Sequence, residues 1–107
     1  MSNIANTPLP PYYAVIFTSI KEPNDTGYFD MALRMLELAN GQEGFLGMES
    51  ARNDVGITVS HWSNLESIKK WKMNSEHLIA QEKGKSQWYK KYKTRICLVE
   101  RDYEFNK

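Results

Sequence analysis

A single cysteine, Cys97, stands in the 107 residues, so no disulfide can form within one chain. It lies in the apolar run Ile96-Cys97-Leu98-Val99, where a thiol is expected to be packed and inert. No apolar run approaches the ~20 residues that a membrane-spanning helix needs. The opening MSNIANTPLPPYY lacks the basic stretch and apolar run of a secretory signal, which makes cytoplasm the expected compartment. Phosphate-cradling glycine loops and nucleophile elbows are missing. The two histidines, His61 and His77, have no converging third ligand, so neither a zinc site nor any other metal or cofactor is expected. Internal repeats and low-complexity segments are absent as well.

What is present fits one soluble globular domain, with 41% hydrophobic and 25% charged residues. Ser60 to Tyr92 holds both histidines and all three tryptophans, Trp62, Trp71 and Trp88. Charge is uneven along the chain: residues 1–68 carry a net −5, residues 69–95 a net +7 and the last twelve a net −1. The basic segment could attract an anion or a nucleic-acid backbone. Its lysines are scattered, however, and read more simply as a solvated helix face. Trp88-Tyr89-Lys90-Lys91-Tyr92 interleaves aromatics with lysines as some single-strand binders do. Its plainer role is to cover one end of the core, and no nucleic acid or membrane is expected as a partner.

Residues 1–11, rich in proline at their end, form a flexible arm, and the folded domain spans 12–107. Tyr12 to Ile20 reads as a strand from its β-branched and aromatic content. Asn24, Asp25 and Thr26 are candidate N-caps for a helix from about Tyr28 to Ala39. That helix carries two neighbouring apolar stripes: Phe29, Ala32, Leu33, Leu36 and Ala39, then Met31, Met35 and Leu38. Gly41 is placed to end it in a left-handed conformation. Phe45 to Arg52 and Ile57 to Trp62 form a hairpin around Asn53-Asp54. Ser63 to Glu66 matches a capping box, with Ser63 as N-cap of a second helix. Asn74-Ser75 interrupts that helix and Gly84 ends it; a last strand runs from about Thr94 to Phe105. The order β-α-β-β-α-β is the ferredoxin-like unit, an α+β fold with a four-stranded antiparallel sheet and both helices on one face. The other face, apolar and uncovered, implies a homodimer.

Several stretches carry a family likeness: Gly44-Phe45-Leu46-Gly47, Ile57-Thr58-Val59-Ser60-His61-Trp62, Trp71, Glu76 to Gln81, Trp88-Tyr89 and Val99 to Tyr103. In order and spacing, about residues 12–105 resemble the antibiotic biosynthesis monooxygenase domain. The resemblance implies a dimeric α+β barrel, formed when the sheets of two subunits face each other. It implies three kinds of function. The first is a cofactor-independent monooxygenase oxidising an aromatic or polyketide-like molecule, the second a non-catalytic or stress-related binding module, and the third a haem-degrading enzyme. Haem-degrading members use an Asn in the first strand and a His about ten residues after a helical Trp. Here Trp71 fits, but Gln81 stands ten residues on and Tyr12–Ile20 has no Asn. His77, six residues on, is turned about 40° from the ligand direction. Haem cleavage therefore ranks third.

A cofactor-free oxygenase needs a deprotonated substrate, an apolar pocket and a base. His77 is the candidate base, because imidazole titrates near neutrality; packing at a helix start or dimer interface is its equally weighted structural role. Trp62 and Trp71 would wall the pocket, and Tyr13, Tyr89 and Tyr92 would orient a phenolic oxygen. His61, at a strand end beside Ile57 and Val59, reads as a packed or interface residue.

Overall fold

The computed structural model describes residues 3–24, 26–81 and 88–107. The N-cap candidate Asp25, the expected helix stop at Gly84 and the side chain of Gln81 lie outside the described residues. The elements run β1 (Tyr12–Lys21), α1 (Tyr28–Asn40), β2 (Phe45–Arg52), β3 (Gly56–Trp62), α2 (Leu65–Gln81) and β4 (Tyr89–Val99). The strands form one antiparallel sheet in the order β2-β3-β1-β4. This is the expected ferredoxin-like βαββαβ arrangement.

Alternation sorts the side chains into two faces. Trp62, Tyr13 and Leu98 stand abreast across β3, β1 and β4, and Ser60, Val15 and Ile96 form the next row. This is the helix side, because Val15 and Trp62 share a buried cluster with Ala39 of α1 and Ile68 and Trp71 of α2. Trp62 is fully buried, its ring 5.6 Å from that of Trp71 and 5.2 Å from that of Phe45. Its indole N–H donates to Ser60 Oγ at 2.9 Å, so burial leaves no polar atom unpaired. Packing on α1 uses all of the second stripe and the end of the first, where Ala39 is fully buried. Met31 is buried and Met35 and Leu38 lie against the core, while Phe29 and Leu33 are 72% and 48% exposed. Helical periodicity permitted either stripe, and both contribute to the cluster around Trp62.

Several element ends differ from the sequence expectation, each for a local reason. Asn64, not Ser63, caps α2: its Oδ1 accepts the Ser67 N–H at 2.8 Å, and the Ser63 hydroxyl receives a bond from Asn64 Nδ2. The helix passes through Asn74-Ser75 without a break, because Ser75 Oγ donates back to the Lys72 carbonyl instead of capping a new segment. At the start of α1, Asn24 Oδ1 accepts from Thr26, and Gly27 occupies the N-cap position with φ 84°. Gly41 is right-handed, with φ −88°, and the freed Leu38 carbonyl accepts from both the Gly41 N–H and Gln42 Nε2. Strand β4 begins at Tyr89 and stops at Val99, which faces Tyr12. Beyond Tyr12 lie Pro11 and Pro10, which have no N–H to extend the ladder, so residues 100–105 find no partner strand.

Candidate functional site

The helix side of the sheet is apolar and aromatic at its Trp62 end and mixed with polar and charged residues towards Ser19 and Arg52, and it is not evenly covered. Over β2 and β3 the helices close it. Over β4 it is open: Ile96 and Leu98 point to the helix side and are 54% and 50% exposed. The helix side is therefore left open along β4, next to Tyr13 and Val15 of β1.

The predicted site residues fall into two groups along this face. Trp62, Trp71 and Tyr13 lie at one end, the tryptophans in the core and Tyr13 packed against it. Tyr89 and Tyr92 lie near Ser19, six residues further along β1, or about 20 Å at strand rise. There Phe17 stands 5.5 Å from Tyr89 and 5.2 Å from Tyr92, and Tyr28 of α1 stands 5.8 Å edge-on to Tyr89. Burial first, then the neighbouring Tyr28 phenol, pushes the Tyr89 hydroxyl far above the ordinary tyrosine value, so it remains a neutral donor. His77 is exposed on α2.

Beside the tyrosines opens a pocket of about 410 Å³ lined by Lys21, Gly27, Tyr28, Phe29, Asp30 and Arg52. Lys21 Nζ lies 4.6 Å and the Arg52 guanidinium 5.7 Å from the centroid of the Tyr28 ring. Arg52 Nη2 donates to the hydroxyl of Ser19, which is itself buried. Trp88 closes the far side of Gly27, its indole N–H bonded to the Thr26 carbonyl at 2.9 Å. Arg52 and Tyr28 were not singled out in the sequence. The signal was there in part, since Arg52 has the parity of the helix-facing Met48 and Ser50, but nothing local shows that α1 brings Tyr28 over it.

A separate polar network lies on the helix-free face. His61 Nε2 sits 3.1 Å from Glu49 Oε1, and its ring packs edge-on to Tyr12 at 5.7 Å, a packed position as expected. Glu49 Oε2 accepts the Ala5 N–H at 3.0 Å, which holds the arm to β2. Thr7 Oγ1 donates to the Tyr12 hydroxyl, which donates to Asp102 at 2.7 Å. Burial pushes the Glu49 carboxyl up, but the bonds from His61 and Ala5 outweigh it and hold the group below its ordinary value. Among the described residues no three His, Cys, Asp or Glu side chains stand together as metal ligands.

Comparison with known proteins places the chain. It is 50% identical over 107 residues to the uncharacterized protein YqjZ of Bacillus subtilis (strain 168), covering 98% of this chain and 94% of that protein. The chain belongs to the YqjZ family. No family model matches it. The fold of this YqjZ-family chain is shared with SnoaB, a cofactor-independent oxygenase from Streptomyces nogalater. Their TM-score is 0.70 at 6% identity, over 87% of this chain and 97% of SnoaB. A putative antibiotic biosynthesis monooxygenase from Chloroflexus aurantiacus J-10-fl has a TM-score of 0.64 at 15% identity, over 89% of this chain and 99% of that one. At these identities the likeness is one of fold.

Proposed function

We propose that this protein binds a small aromatic molecule on the open helix side of the sheet and oxidises it with molecular oxygen, without a cofactor. The observation that carries the reading is the open, apolar helix side of β4, where half-exposed Ile96 and Leu98 flank Tyr13 and Val15. A sheet face with helices above it ordinarily covers such residues; leaving them open suits a flat apolar ligand. The fold shared with SnoaB supports the same general kind of chemistry.

In this reading a ring carbon and its phenolic tautomer lose a proton to a base, and the resulting anion gives electrons to oxygen. One oxygen atom replaces two hydrogens at that carbon as a carbonyl, and the other leaves as water. His77, exposed on α2, is the candidate base, and Tyr13, paired with Leu98 across the sheet, is a hydrogen-bond donor for the phenolic oxygen. The functional unit is a homodimer joined through the helix-free sheet face. Native mass spectrometry of freshly purified protein identifies a co-purifying ligand, and an oxygen electrode then follows uptake with it. Oxygen consumed in step with ligand loss supports the reading. A ligand that binds without oxygen uptake makes the protein a binding module instead.

A further inference from the structure

The Arg52 end of the helix side finishes in charge. Among the described residues, the pocket beside Tyr28 is lined by the charged side chains Lys21, Arg52 and Asp30. Arg52 reaches it from the helix-facing parity of β2, behind Met48 and Ser50, where alternation calls for an apolar or small side chain. Room for it comes from Gly56, the residue opposite, where a Cβ would overlap the guanidinium. Its position comes from buried Ser19, whose hydroxyl accepts one of the five guanidinium N–H groups. Ser19 and Tyr28 are both uncharged, so they fix the guanidinium without neutralising it. Phe29, 72% exposed, stands on the lip of the same pocket.

We propose that this pocket binds an organic anion, a carboxylate carried on a flat ring, with Arg52 holding the carboxylate and Tyr28 and Phe29 lying against the ring. A planar guanidinium anchored on one side presents its remaining donors in the fork that matches a carboxylate. The lining supplies the other half of the ligand, since its remaining large surfaces are aromatic. This inference goes beyond the proposed oxidation, because the pocket shares no lining residue with the open face beside Tyr13 and Leu98.

The test is calorimetric titration with 2-naphthoate, with its neutral counterpart 2-naphthamide and with inorganic phosphate. Trp88 fluorescence serves as a second readout, because its ring lies 3.7 Å from where a Cβ on Gly27 would stand. The naphthoate should bind at least about tenfold tighter than the amide, the worth of one charge-assisted contact, and far tighter than phosphate. Arg52→Gln should abolish the preference for naphthoate, and Arg52→Lys should retain part of it. Gly56→Ala keeps the charge but pushes the guanidinium off Ser19, and it should weaken naphthoate while leaving the amide unchanged. Should Arg52→Gln fail to fold, Gly56→Ala decides. Equal affinity for naphthoate and naphthamide, a preference that survives Arg52→Gln, or phosphate binding as tight as naphthoate overturns the proposal. No binding of either ring compound overturns it as well, and neither outcome touches the proposed oxidation, which stands or falls on oxygen uptake with the co-purifying ligand.

Discussion

At the scale of single residues, the side chains that hold the molecule and those proposed to do its chemistry respond differently to substitution. Trp62 is the largest fully buried side chain and touches both Phe45 and Trp71. Trp62→Ala should destabilise by about 3–5 kcal/mol, much of the ~5–15 kcal/mol available to a small domain, as read by urea denaturation. Asn64→Ala should cost about 1 kcal/mol, because the Ser67 N–H loses its acceptor. Ser63→Ala should cost less, since its hydroxyl only receives a bond from Asn64; equal losses would put the cap elsewhere. His77→Ala should leave the melting temperature within error, because the side chain is exposed. If His77 is the base, the same change should reduce turnover by about 10² to 10⁴.

At the scale of elements, the terminal segments are tied to the sheet through ionisable groups. The arm reaches β2 through Ala5 and Glu49, and Thr7, Tyr12 and Asp102 link the arm, β1 and the C-terminal segment. The Glu49 carboxyl is held below its unfolded value, so its contribution is present above the unfolded value and is lost as pH falls through the folded one. Wild-type protein should therefore lose stability towards acid, and Glu49→Gln should flatten that limb in melts recorded across pH. Hydrogen exchange should show the Ala5 amide becoming unprotected over the same acid range. An Ala5 amide equally protected at both ends would break the link between the arm and Glu49.

For the whole molecule, the helix-free face leaves Ile20 and Ile57 exposed, and a second copy is proposed to cover them. Equilibrium sedimentation at micromolar concentration should give twice the 12.5 kDa chain mass. Ile57→Asp, a charge on the helix-free side of the inner strand β3, should shift the equilibrium to monomer. A wild-type monomer at that concentration would remove the dimeric barrel. Sheet order and helix placement are shared with SnoaB at 6% identity, so the architecture tolerates nearly complete replacement of side chains. Function must therefore be argued from this chain's own pocket residues.

Composition, periodicity, turn chemistry and element order were enough to determine the ferredoxin-like fold, because they are local properties: the β-branched and aromatic run Tyr12–Ile20, the 3.6-residue spacing from Tyr28, and the hairpin at Asn53-Asp54 each read from neighbours in the chain. The bounds of β4 were not legible, since a strand ends where its partner ends, and the partner's limit is Pro11, far away in sequence. The cap of α2 turned on which of two adjacent polar side chains, Ser63 or Asn64, reached a backbone N–H, and only three-dimensional geometry decides that. Tyr89 and Tyr92 were visible as aromatics, and Trp62 and Trp71 likewise. Their division between a pocket end and a core end came from strand register and from where α2 lay. Arg52 became a candidate ligand residue only when Ser19 from β1, Gly56 from β3 and Tyr28 from α1 met around it. Sites made of residues from several elements depend on long-range contacts, and no single stretch of sequence contains them.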